Sequence, residues 1–121
     1  MGANAWAYNE AVSIGHAAHA YEEGVGIGFF ADGQGAGVAV GSHANASSGG
    51  LALGGYANGW NSNIAMGAWT RTEGGTNRIA IGNMLYNEVD DSAALRGTLY
   101  LDGGTGVLYR STFGSGEWTD L

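Results

Sequence analysis

Six times between residues 12 and 82 the chain writes two aliphatic-type residues separated by one residue and followed by glycine. The copies are Val12-Ser13-Ile14-Gly15, Val25-Gly26-Ile27-Gly28, Val38-Ala39-Val40-Gly41, Leu51-Ala52-Leu53-Gly54, Ile64-Ala65-Met66-Gly67 and Ile79-Ala80-Ile81-Gly82. Successive glycines lie 13 residues apart four times, and the last interval is 15. A fixed period dictates architecture before any single-residue propensity does. Thirteen residues are too few for a helical pair or a propeller blade. They suit two short strands and two turns, one coil of a β-solenoid. Coils stacked at about 4.8 Å make a rod about 25–30 Å tall. Gly2 lies one period before Gly15, so a partial coil is expected to open the repeat.

Counting from the first aliphatic residue, positions one and three point to one side of a strand and position two to the other. Position two is always small, so a packed surface is expected close to that face. The glycine at position four is expected in a positive-φ turn that a Cβ would penalise. Positions seven and nine hold alanine, glycine or threonine, which fits the inside of a narrow coil. Positions six, eight and ten are large or polar and are expected outside. Position six reads Phe30, His43, Tyr56, Trp69 in successive coils, with Trp60 nearby. Such a column suits a seam between chains or a ligand-binding strip, and the seam is favoured because an uncovered patch of this size invites aggregation. Coils lined by alanine and glycine bury little apolar area, so an oligomer is expected, with aliphatic or aromatic columns buried between chains.

The 121 residues make one domain's worth of chain, with 24 glycines and no proline, which suits many short paired strands. There is no lysine. Arg71, Arg78, Arg96 and Arg110 face eleven carboxylates, for a net charge of −7, which argues against nucleic acid and anionic membranes as partners. There is no cysteine, so thiolate and disulfide chemistry are excluded. No stretch reads as a signal peptide or approaches 18 apolar residues.

The roll is expected to occupy residues 2–82. Residues 83–121 are expected to hold a polar connector (83–94), a hairpin and a tail that form a docking or tip region. The hairpin is read from two β-rich runs flanking Asp102-Gly103-Gly104-Thr105-Gly106. Its candidate docking residues are Leu99, Tyr100, Leu101, Val107, Leu108 and Tyr109.

The Ala-Ile-Gly and Ala-x-Ala pattern, carried by Ile64-Ala65-Met66-Gly67, Ile79-Ala80-Ile81-Gly82 and Ala44-Asn45-Ala46, resembles the head repeats of trimeric autotransporter adhesins. The resemblance covers about residues 2 to 82, with a period one residue shorter than is usual in that family. It implies a left-handed parallel β-roll of about six coils, a homotrimer, and an exposed binding role. Those adhesins also carry an export signal, a heptad stalk and a barrel anchor, none of which is read in these residues. The stretch Gly97–Arg110 instead resembles hairpins of tailed-bacteriophage fibre and head-decoration proteins. By analogy, the expected role is a non-catalytic virion protein assembled in the host cytoplasm, a trimeric capsid decoration or cement protein or a short fibre. Its partners are then itself and other capsid or tail proteins. The alternative is an adhesin head or receptor-binding tip, located on a bacterial cell surface, recognising a cell-surface glycan or protein.

Other chemistry is weaker. Gly24-Val25-Gly26-Ile27-Gly28 and Gly33-Gln34-Gly35-Ala36-Gly37 look like phosphate loops, but no helix follows either. His16, His19 and His43 lack the cysteines or dense carboxylates of a metal site. Glu22-Glu23 and Asp90-Asp91 are read as solvated turns rather than as the paired carboxylates of a glycosidase, since adjacent strand residues point to opposite faces. No enzyme activity, cofactor or metal is expected. An ice-binding face would need a regular Thr-x-Thr column, and only Thr70-Arg71-Thr72 occurs.

Overall fold

The structure is a computed structural model. It describes residues 2–95 in full, the backbones of 99–102, 108–111 and 118–120, and Gly104. Within these residues the chain is a parallel β-solenoid of about seven coils. Two sheets form its flat sides. One has six strands: β1 (Trp6–Tyr8), β3 (His19–Tyr21), β5 (Asp32–Gln34), β7 (Asn45–Ser47), β9 (Asn58–Trp60) and β11 (Arg71–Thr72). The other begins with seven parallel strands: β2 (Val12–Ile14), β4 (Val25–Ile27), β6 (Val38–Val40), β8 (Leu51–Leu53), β10 (Ile64–Met66), β12 (Arg78–Ile81) and β13 (Ser92–Leu95). It then continues antiparallel through β14 (Leu99–Asp102), β15 (Leu108–Ser111) and β16 (Trp118–Asp120). The first six of the seven are the six copies of the aliphatic motif, in register: Val25 pairs Val38, Val38 pairs Leu51, and Leu51 pairs Ile64.

The two sheets approach so closely that only small side chains fit between them. Ala20, Ala39, Ala46, Ala52 and Ala65 are fully buried, and the largest fully buried side chains are Asn63, Thr70 and Thr72. The aliphatic residues of positions one and three lie outside, half-buried or exposed. The alternation expected of a strand therefore holds, but the core is the alanine face and the aliphatic face is the outer wall.

Position four behaves as expected, and for two reasons. Gly15, Gly28, Gly41, Gly54 and Gly67 have φ between +128° and +138°, and a Cβ on any of them would meet the next rung's glycine carbonyl closer than the 3.0 Å real Cβ atoms keep. Position six is not part of the second strand, as its large residues suggested. It is a left-handed turn residue: Phe30, His43, Tyr56 and Trp69 have φ of 53°, 57°, 58° and 58°. That conformation costs about 1–2 kcal/mol for a residue with a Cβ. Each turn offsets the cost with a bond to the rung above, such as His43 N to Phe29 O at 2.8 Å and Trp69 N to Gly55 O at 2.9 Å.

The longer last interval has a local cause. Gly24, Gly37 and Gly50 close their coils at position thirteen, but Asn63 stands there in the next. Its buried amide donates to Gly75 O at 3.0 Å and accepts from Arg78 N at 2.9 Å. The chain takes a wider loop around that side chain before re-entering the sheet at β12.

Residues 83–94 do not form a connector. They add a further coil: Asn87 N bonds Arg71 O at 3.0 Å, and β13 pairs β12 in parallel. The small residues Ser92 and Ala94 and the buried Asn87 fill its interior without the aliphatic-glycine signature. Asp90 staples this coil to the wide loop, accepting from Arg78 Nε at 2.7 Å and Thr76 N at 3.0 Å. The Thr76 amide first, and then Arg78, hold its carboxyl below the ordinary value. A group depressed on folding stabilises the fold above its unfolded pKa, about 3.9, and loses that contribution as pH falls through the folded value. Acidification below about pH 4 is therefore expected to lower amide protection, relative to intrinsic exchange rates, in the 74–91 segment before the central coils open, and Asp90→Asn is expected to abolish that pH dependence. Hydrogen exchange across pH 2–6 checks this.

Candidate functional site

The predicted aromatic column exists and is a continuous stack. Phe30 and His43 lie 5.4 Å apart between ring centroids, His43 and Tyr56 4.6 Å, and Tyr56 and Trp69 4.2 Å, with the last two pairs within 1° and 7° of parallel. The spacing follows from the rung separation, and the direction from the left-handed turn, which sends each ring out of the coil at the same place. A second, shorter column at position five stacks His16 on Phe29 at 5.4 Å, and Phe29 meets Phe30 edge-on at 4.6 Å. The rings thus cover one another's faces and present their edges outward. Trp69, 59% exposed, ends the stack.

Trp60 is not a member of this column. It sits at the far end of β9, and its Nε1 donates to Asn45 Oδ1 at 2.9 Å. The position-eight residues form a polar column in register, Asp32 beside Asn45, Asn45 beside Asn58, Asn58 beside Arg71. Gln34 Nε2 donates to Asp32 Oδ2 at 2.8 Å, and Asn58 Nδ2 to Glu73 Oε1 at 2.6 Å. Arg71 pairs with Glu73 at 2.5 Å, a bond that raises the guanidinium pKa, and lies over the Tyr86 ring at 5.9 Å. Asp32 Oδ1 and Asn58 Oδ1 are buried acceptors without a partner. Between the two columns runs an open groove of about 360 Å³, lined by His43, Asn45, Tyr56, Ala57, Asn58, Trp69 and Arg71. The sequence pointed to the rings but not to the amide column beside them. The signal was there, since Asn45 and Asn58 recur one period apart.

At the opposite turns Asn9, Glu10, Glu22, Glu23, Gly35 and Ala36 line an open cleft of about 530 Å³. Glu22 and Glu23 both sit in left-handed turns, with φ of 50° and 66°, so the opposed faces of a strand residue pair do not apply to them. Asp90 and Asp91 are occupied by Arg78, Thr76 and Asn77. The three histidines do not converge, and among the described residues no cluster of three His, Cys, Asp or Glu is arranged to hold a metal. No described helix is long and apolar enough to cross a membrane.

β14 and β15 pair antiparallel, with Tyr100 opposite Tyr109 and Leu101 opposite Leu108. Val107 lies outside the described residues, and β16 adds a strand in the segment read as a tail. Comparison of the chain with protein-family models, with curated proteins and with solved structures returned no match.

Proposed function

We propose that this chain is a non-catalytic structural module that assembles as a homotrimer through the aliphatic wall of its larger sheet. The observation that carries the reading is the inversion of the usual core. Among the described residues nothing larger than asparagine is fully buried, while Val25, Ile27, Val38, Val40, Leu51, Leu53, Ile64 and Met66 line one flat outer face and are only half-buried. At about 25 cal/mol per Å², the apolar area left on that face is a reserve of stabilisation that an interface would use. A monomeric soluble protein rarely leaves such a face open. Three such faces brought together around an axis make the shared core that each roll lacks, and the resemblance to adhesin head repeats favours three over two.

The proposed setting is a tailed-phage virion, as a capsid decoration or cement protein or a short fibre, with the hairpin of β14 and β15 as the docking end. This part rests on the resemblance of the Gly97–Arg110 stretch. The position-six column, at the turns beside the wall, flanks the seam rather than forming it. Native mass measurement of the purified protein is expected to give three times the 12.3 kDa chain mass at micromolar concentration. A monodisperse monomer or a dimer defeats the trimer. Stripping the protein from purified particles is expected to weaken the capsid and leave adsorption intact; the opposite result defeats the virion role.

A further inference from the structure

We propose that the groove between the ring column and the amide column is a binding site for an uncharged oligosaccharide lying parallel to the roll axis. The groove runs along the turns between the two sheets, with its amide side on the sheet opposite the aliphatic wall, and the inference does not depend on the trimer.

Four observations select the ligand. First, the groove follows His43, Tyr56 and Trp69 over three consecutive rungs, so its occupant is elongated. Second, Asn58 Oδ1 is a buried acceptor with no partner, while the Nδ2 of the same amide is already used by Glu73. An unsatisfied buried acceptor costs about 1–3 kcal/mol, and a ligand hydroxyl or amide N–H that reaches it recovers that cost. Third, the cation in the groove, Arg71, is neutralised by Glu73, and the chain carries −7, so neither a polyanionic glycan nor a nucleic acid is attracted. Fourth, the groove lies on a sheet face whose backbone groups are consumed by the ladders, so an extended peptide finds no free edge to extend. Linked neutral sugar rings meet all four conditions, with hydroxyls for the amide column and C–H surfaces for the rings.

The geometry also decides how the sugars sit. The ring faces of His43 and Tyr56 are covered by their neighbours, so stacking of a sugar on each successive aromatic is closed off. Ring edges line the groove, and the end of the stack, Trp69, offers the exposed aromatic surface.

The test is an array of neutral hexose and N-acetylhexosamine oligosaccharides with sialylated and sulfated glycans beside them, followed by titration calorimetry of the best neutral hexasaccharide. Binding to neutral members is expected, with a loss of tenfold or more for Trp69→Ala and for Asn58→Leu. Trp69→Phe, which keeps a stacked ring, is expected to lose less and covers the case in which Trp69→Ala fails to fold. Leu53→Glu, on the other sheet, is expected to bind as the parent does. Absence of binding to every neutral glycan, binding confined to acidic glycans, or affinity unchanged in both groove variants overturns the assignment.

Discussion

Leu53→Glu is expected to convert the proposed trimer to a folded monomer. Leu53 lies at the centre of the aliphatic wall on β8, paired on both sides by Val40 and Met66. A carboxylate there leaves the roll's own interior untouched, because Leu53 points away from the alanine core. In an oligomer the same carboxylate would be buried without a partner, at several kcal/mol per chain, which is about a hundredfold or more in the dissociation constant for each copy. Native mass and sedimentation measure the change, and far-UV circular dichroism checks that the strands persist. Ser48→Glu, on an exposed turn, controls for charge alone. An unchanged mass for Leu53→Glu would place the interface elsewhere and remove the main support for the proposed assembly.

Gly41→Val is expected to do the opposite damage, destroying the fold rather than the assembly. A side chain at φ +138° is strained, and its Cβ would also meet the Gly54 carbonyl of the next rung. The neighbour is backbone, its carbonyl accepting from Ala57 N at 3.3 Å, and has no flexible tip that could move aside. A loss above about 3 kcal/mol is expected, enough to lower the melting temperature by 10 °C or more in a protein with marginal stability of its own. Gly74→Ala is the informative comparison. Gly74 also has positive φ, 81°, but nothing lies within 4 Å of its built Cβ, so only the conformational cost of about 1 kcal/mol applies. Equal melting temperatures for the two variants would show that close rung stacking at position four is not what requires glycine.

The architecture was legible because translational symmetry repeats each constraint in the sequence. The aliphatic doublets mark β2, β4, β6, β8, β10 and β12, and the alanines between them mark the interior. What the pattern hid is where the conformational rule changes. Position six was read as an outward strand position, yet it is a turn, because nothing in Phe30, His43, Tyr56 or Trp69 announces left-handed backbone; glycine or asparagine would have done so. The coil after Asn83 was invisible for a related reason. Its inward residues, Asn87 and Ser92, satisfy one another by hydrogen bonds, with Asn87 Nδ2 donating to Ser92 Oγ at 2.9 Å, and so carry no hydrophobic signature. The ring column was read directly, but whether its members touch face to face depends on a dihedral shared by all of them, which composition does not encode. The groove beside it emerged only when Asn45 and Asn58 were seen to stand next to those rings.

The passage from parallel to antiparallel pairing at β13 has a consequence for growth. A stack of identical rungs behaves like a one-dimensional crystal, ready to accept another layer on any open end, and open ends of that kind seed fibrils. The turn back through β14, β15 and β16 places strands of reversed direction where the next layer of the larger sheet would nucleate. The module therefore carries its own terminator on that sheet, and layers can be added or removed only in steps of one coil.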